Sequence, residues 1–554
     1  MYRQVIVLLY LLVISSTTES AVTPTVALGE DWSLPAGVTV VPNSGFYSEA
    51  ATPAVNINVK SFDVAWKQVN PSKDVYATNI AATIKEMPFG TFASQNSTTS
   101  PFWLRIWNSG STWAPSWIQS YCQVTASVQD YDNEYHLPIW NPCVWGELKK
   151  MYRHFFVTMN MRADPRMKFV QVPGAFNWCE FDFDVVGKYI AKGLTYQVFD
   201  TWFRTMVDDL VYMFNGENND PSDDFAYKLI YTGEDYPFDI DQWPASKNLW
   251  ATYAVSKGMG IRTGITEISN FHLSHIPAYG VKVDANGYMV LNKTWPLQAN
   301  PKRVIATENE CFNACGYTTA SNVLAYAVKM SNLKALQMGV NWLYLVDNDS
   351  YIRTYPDLYN WVRFNLGRWP NNSFEAWAAL RQAQDNFDYG FSWKGAPYIK
   401  NYERFLTQRD VAGAITQRGT TKYTNVVKEE GGSNNGIAYE GLQTNVANGN
   451  TSIVFYLDDE FITPVTPSGP VKIKVVFLDN RATSWVLSYV NSAGATVLTD
   501  PVVQAGSSGN LTTATFTIPD AHFKNTVQPG NADFKLVVTG TNNVEIWFIR
   551  VIKQ

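Results

Sequence analysis

The chain is poor in the residues used most for metal and nucleophile chemistry. It has 5 His and 5 Cys in 554 residues. His272 and His275 form an H-x-x-H pair, but there is no H-E-x-x-H and no Cys/His spacing suited to zinc. The pair reads as structural, and a metallopeptidase becomes a poor fit. The absence of a G-x-S-x-G elbow argues equally against a serine hydrolase. No Gly-rich phosphate loop occurs, so we expect no nucleotide cofactor and no metal. Basic charge is also scarce: 43 Lys and Arg stand against 49 Asp and Glu, a net charge of −6. Nucleic acid and anionic membranes both need concentrated cations, so neither is an expected partner. Beyond the N-terminus no apolar run is long enough to cross a bilayer.

The first 21 residues read as a signal peptide. Arg3 supplies the positive start, residues 5–14 are apolar, and the small polar stretch 15–21 offers a cleavage site. The apolar run is short for a membrane span, so we expect a secreted, extracellular protein with no stable membrane anchor. Sequons at Asn96, Asn292, Asn348, Asn371, Asn450 and Asn510 agree with export and predict a glycoprotein. Five cysteines leave at least one thiol unpaired within the chain. We pair Cys122 with Cys143 and Cys311 with Cys315, leaving Cys179.

Residues 37–400 alternate short β-branched or aromatic runs with amphipathic helical runs. That alternation predicts βα units around a parallel sheet, an α/β fold of the (β/α)₈ TIM barrel type. Strands are expected at 56–66, 102–107, 169–172, 227–231, 260–266, 303–307 and 342–346, with an eighth at 37–41. Helices are expected at 147–161, 198–214, 246–257 and 320–337. Residues 401–436 read as a linker, since the stretch from 411 to 434 is polar and rich in Gly and Thr. Residues 437–554 carry short alternating strands at 451–457, 471–478, 484–490, 512–518, 534–539 and 544–551. They predict an antiparallel β-sandwich domain with an ancillary role.

What the chain does have is aromatic: 20 Trp and 30 Tyr, more than a core alone requires. Flat rings suit the apolar faces of sugars. In a barrel the working groups stand at the C-terminal strand ends. After the fourth expected strand, Glu180 lies between Trp178 and Phe181. After the seventh come Glu308, Asn309 and Glu310. Cleaving a glycosidic bond needs two such carboxyl groups. Trp103, Trp107, Trp113 and Trp117, with Trp66 upstream, offer either a stacking wall or core. Arg105 alternates with apolar residues and fits a structural ion pair. Glu267 and Asp347 follow the sixth and eighth strands. Tyr456, Trp485 and Trp547 could be exposed on the sandwich and bind polysaccharide.

Several segments together resemble clan-A glycoside hydrolases, most nearly the family 42 β-galactosidase-like catalytic domain. Trp66-Lys-Gln-Val-Asn-Pro-Ser-Lys-Asp-Val-Tyr76 resembles their W…(V)NP..G.Y opening, with Asp74 in place of the usual Gly. Leu104-Arg-Ile106 with Pro115-Ser-Trp117, and Pro138-Ile-Trp-Asn-Pro142, look like the following strand, substrate loop and helix approach. Phe169-Val-Gln-Val172 through Trp178-Cys-Glu180 resembles the acid-bearing strand and loop, and Ile305-Ala-Thr-Glu308 the nucleophile strand. The resemblance spans about residues 40–390. It implies a retaining glycosidase acting on β-linked oligo- or polysaccharides, with Glu180 as acid/base and Glu308 as nucleophile. Glu310 is the alternative nucleophile. Trp66, Arg105, Trp107, Trp117, Asn177, Trp178 and Glu267 would line the substrate. Cys179 stands where many such enzymes carry Asn. That departure motivates the alternative of a non-catalytic carbohydrate-binding protein. Oligomeric state stays open.

Overall fold

The computed structural model describes residues 21–48, 59–78, 101–218, 220–232, 250–263, 277–309, 324–345, 350–382, 400–420, 422–424 and 437–554. Eight parallel strands form a closed barrel, each paired with its neighbours in sequence order. They are β1 (Gly45–Ser48), β2 (Val59–Ala65), β3 (Phe102–Trp107), β4 (Met167–Val172), β5 (Leu229–Thr232), β6 (Gly260–Thr263), β7 (Ile305–Asn309) and β8 (Trp342–Leu345). The pleat sends alternate residues in and out. Phe62, Leu104, Val170, Ile261 and Leu343 join the large outer core. Tyr47, Trp103, Phe169, Ile230, Ala306, Trp342 and Tyr344 belong to a second cluster that fills the barrel interior.

The outer helices have clear local causes. Pro142–Arg153 begins at Asn141, whose side chain accepts from the Cys143 and Val144 amides, and Pro142 suits the first turn. Tyr196–Phe214 is capped by Thr195 and buries Phe199, Trp202, Phe203, Met206, Val207 and Leu210. A disulfide joins Cys122, at the end of the helix Trp117–Cys122, to Cys143. Closing a loop of this length contributes about 3 kcal/mol on the loop-entropy view. Cys179 is a buried free thiol. Cys311 and Cys315 lie outside the described residues, as do residues 1–20 of the expected signal peptide, His272 and His275.

The C-terminal part is built mainly on two antiparallel sheets, beside a small one of Arg381–Gln382, Ile437–Glu440 and Lys422–Thr424. One runs Thr25–Leu28, Leu511–Ala521, Gly469–Leu478, Glu545–Lys553, Glu375–Ala379, Tyr402–Arg404. The other runs Leu406–Gln408, Ser452–Leu457, Phe534–Val538, Thr483–Val490, Thr496–Leu498. Both contribute to one apolar core that includes Ile473, Phe516 and Ile549 from the first sheet and Phe455, Leu487 and Leu536 from the second. The barrel packs against the first sheet. Trp361 on the helix Pro356–Asn365 meets Trp377 at 5.9 Å between ring centroids. Buried Lys329 bridges Glu30 at 2.5 Å and Glu440 at 2.6 Å.

Three sequence expectations change. The first barrel strand is 45–48 and not 37–41: the β-branched run is largely outside the core, whereas Phe46 and Tyr47 fill the two faces of β1. β-Propensity marks a strand only where burial supports it. Second, the stretch 401–436 contains strands, with Tyr402–Arg404 paired to Glu375–Ala379 and Gln417–Arg418 to Leu442–Gln443. Polarity there reflects short edge strands, not a free linker. Third, Trp485 and Trp547 are buried. Trp485 packs between Phe477 and Phe516, and Trp547 donates to Glu545 at 3.1 Å.

Candidate functional site

The polar residues of the barrel interior gather toward the C-terminal strand ends. Parallel pairing sets Asp63 of β2 beside Arg105 of β3, and Arg105 beside Gln171 of β4. Arg105 Nε donates to Asp63 Oδ1 at 2.6 Å, and Trp107 Nε1 donates to the same oxygen at 3.1 Å. Ser61 donates to Asp63 Oδ2 at 2.9 Å. The Arg105 guanidinium also lies 4.8 Å from the Trp103 ring centre and 5.8 Å from that of Trp178. A buried pair with its remaining lone pairs satisfied in this way is a stable unit.

Across the mouth, Arg262 of β6 holds both sequence-predicted carboxylates. Its Nη1 lies 2.8 Å from Glu180 Oε1, and its Nη2 forms an ion pair with Glu308 Oε1. Arg262 is wholly buried, the Glu308 side chain is nearly so, and the Glu180 side chain keeps 16% of its exposure. The guanidinium also sits over the Tyr344 ring at 5.1 Å. Burial opposes the charge on Arg262, but Glu180, Tyr47 and Tyr344 more than offset it and hold its pKa above the ordinary value. Burial likewise pushes the Tyr47 hydroxyl up, against the opposing pull of Arg262. Two carboxylates 128 residues apart in sequence thus share one cation.

The loop after β4 is built to close tolerances. The Asn108 amide and the Tyr152 hydroxyl both donate to the Pro173 carbonyl, Asn108 at 2.5 Å. At Gly174 a Cβ would come within 2.2 Å of the Ile106 carbonyl oxygen, and its φ is +72°, so only glycine fits. Phe176, Trp178 and Cys179 all have left-handed backbones, with φ of 61°, 52° and 61°. Non-glycine residues hold that conformation only where surroundings over-determine it, and such strain clusters at functional sites. At the far end the Phe181 amide donates to the Thr232 carbonyl at 3.1 Å. Cys179 is sealed, and burial pushes its thiol well up, which keeps it a neutral, unreactive SH.

The other expected site residues divide. Trp107 and Trp178 form an aromatic group with Trp113, with centroids 6.1 and 5.5 Å from Trp107. Trp66 is fully buried and packs edge-on to Trp117 at 6.4 Å, so it is core and cannot face a substrate. Trp66 and Val69 are the buried residues of the short helix Trp66–Val69, and both join the outer core. Trp117 is half-buried and donates to the Asn70 carbonyl at 3.4 Å. Arg105 is an ion-pair partner sealed beneath the tryptophans. Asn177 lies in the strained turn Asn177–Cys179. Glu267, Glu310 and Asp347 lie outside the described residues.

Sequence reasoning missed Asp63, Arg262, Tyr47 and Tyr344. The signal that singled out Arg105, a charge alternating with apolar residues in a strand, applies equally to Asp63 and Arg262. Among the described residues no group of three or more His, Cys, Asp and Glu is arranged to hold a metal ion. No described helix is long and apolar enough to cross a membrane. No protein-family model matches the sequence, and no curated protein matches it.

Proposed function

We propose that the chain is a secreted retaining glycoside hydrolase, a (β/α)₈ barrel followed by a β-sandwich, that cleaves β-linked oligo- or polysaccharides. The observation that carries this reading is the Glu180–Arg262–Glu308 cluster, on the loop after β4 and on β6 and β7, at the mouth of a parallel barrel. Glycoside hydrolysis needs two carboxyl groups facing one bond. Their surroundings divide the roles. Glu308 sits on a strand, buried against Arg262, which favours the anion and suits the nucleophile that attacks the anomeric carbon. Glu180 sits on a loop and is partly exposed, so it can exchange protons. It protonates the leaving oxygen, then takes a proton from the water that releases the glycosyl-enzyme. Half-buried Trp178, backed by buried Trp107, offers the flat surface a sugar face needs. The exposed sequon residues Asn371 and Asn510 suit glycosylation in a secreted host context.

The test is hydrolysis of chromogenic glycosides and of plant, algal and bacterial polysaccharides. Glu308→Gln and Glu180→Gln should each lower turnover by about 10³-fold or more while the fold survives, since each removes a group required in the transition state. The product's anomeric configuration, read by NMR, should match the substrate's. Full turnover in either variant overturns the assignment. A second reading, a carbohydrate-binding protein without turnover, is favoured by one observation: Arg262 lies against both carboxylates, and a cation this close opposes the proton a general acid must carry. Tight glycan binding with no hydrolysis across those substrates would select it.

A further inference from the structure

We infer that Asp130, His136 and Ser109 form a positioning chain that sets the loop carrying Glu180; the inference rests on the reading of Glu180 as acid/base. All three side chains are buried, and each touches the next. Asp130 Oδ2 lies 2.8 Å from His136 Nε2, and His136 Nδ1 lies 2.9 Å from Ser109 Oγ. Ser109 Oγ in turn accepts from the Phe176 amide at 2.6 Å. The Phe176 ring stands edge-on to His136 at 5.4 Å.

The chemistry fixes the direction of the chain. An ionised carboxylate only accepts, so His136 Nε2 carries the hydrogen. Nδ1 then accepts from the Ser109 hydroxyl, whose oxygen is left to receive the Phe176 N–H. Asp130 is itself held, because Oδ1 accepts from the Asp132 and Glu134 amides at 2.9 and 3.0 Å. The types match a nucleophile, base and orienting acid, but Ser109 is buried and its oxygen already occupied. The chain holds and does not attack. What it holds is the first of three left-handed non-glycine residues that precede Glu180 in this loop. A strained turn keeps its shape only while such contacts persist, and a small misplacement of a reacting group is costly.

Asp130→Asn is the deciding variant. It keeps shape, and its oxygen can still accept the two backbone amides, leaving the NH₂ to face His136. Nε2 must then accept, and the hydrogen moves to Nδ1. Ser109 loses its acceptor. Nitrogen-15 NMR of histidine-labelled protein should show His136 with hydrogen on Nε2 in the wild type and on Nδ1 in the variant. Two readouts follow the loop. Turnover should fall by up to about 100-fold with KM little changed. Alkylation of Cys179 in the folded protein, followed by peptide mass, should quicken about tenfold or more as the loop opens. Ser109→Ala should do the same to both. The labelling does not depend on hydrolysis, so it tests the positioning even if the protein proves not to cleave sugars. Unchanged Cys179 labelling in a folded Asp130→Asn or Ser109→Ala protein overturns the proposal.

Discussion

Arg105 and Arg262 stand on β3 and β6 of one barrel, and both are buried, yet their partners differ. Among the described ion pairs, Arg105 faces Asp63, which also accepts from Ser61 and Trp107. Both members are sealed. Arg262 faces two carboxylates, one on a strand and one on a loop that reaches solvent. Among the described residues this is one cation against two anions, with one member accessible, an arrangement that a substrate can alter. The first side of the mouth is architecture, and the second is where chemistry can happen. A buried charge therefore says little about function until its partners are counted and their access is known.

Removing one carboxylate from each side should separate the two most strongly. Asp63→Ala strands a buried guanidinium and should cost about 3–5 kcal/mol of stability. Glu180→Gln leaves Arg262 paired with Glu308 and should change stability by less than about 1 kcal/mol, as partly exposed substitutions usually do. Denaturant unfolding measures both. The comparison fails if Glu180→Gln destabilises as much as Asp63→Ala.

The C-terminal sheets supply a third case, a carboxylate with no cation beside it among the described residues. Asp533 accepts from the Leu457 and Asn525 amides at 2.7 and 3.1 Å, and burial pushes its pKa up to about 6. The folded state therefore holds a proton that the unfolded chain has released between the ordinary Asp value and about pH 6. This contribution to stability is complete at low pH and is lost as pH rises through about 6, to the extent of about 3 kcal/mol. Asp533→Asn removes the titration. Relative to wild type, the variant should gain about that much between pH 4 and pH 7 in paired denaturation curves. Parallel curves would show that Asp533 ionises normally.

The alternation of strands and helices was legible because barrel strands are short apolar runs between amphipathic helices, and seven of eight fell close to their observed positions. The eighth was misplaced because residues 37–41 have β-branched side chains without burial, a distinction invisible in a propensity reading. Glu180 and Glu308 could be singled out since strand ends are where acids matter. Arg262, which joins them, is a lone charge in a four-residue strand, and its partners are far away in sequence. The Asp130–His136–Ser109 chain was illegible for the same reason: its histidine was only one of 5, and contact between loops follows from closure of the barrel. Trp66 shows the opposite error. A residue picked from a motif proved to be core, because an aromatic side chain gives the same sequence signal whether it packs or binds.

That ambiguity yields the smallest and most discriminating prediction. Trp107 and Trp178 share the Arg105 side of the mouth, where Trp178 is half-buried and lies 6.1 Å from Trp107. Trp117 instead packs on Trp66 and Tyr121. If the sealed ion pair is a floor for a sugar-stacking surface, Trp178→Ala should weaken binding by about 0.5–1.5 kcal/mol, a few-fold to roughly tenfold in KM, with kcat changed little. Trp117→Ala should leave KM unchanged and be felt only in stability. Equal effects of the two on KM would mean that the tryptophans act through packing alone, and the Arg105 side would then contribute nothing to recognition beyond holding the barrel together.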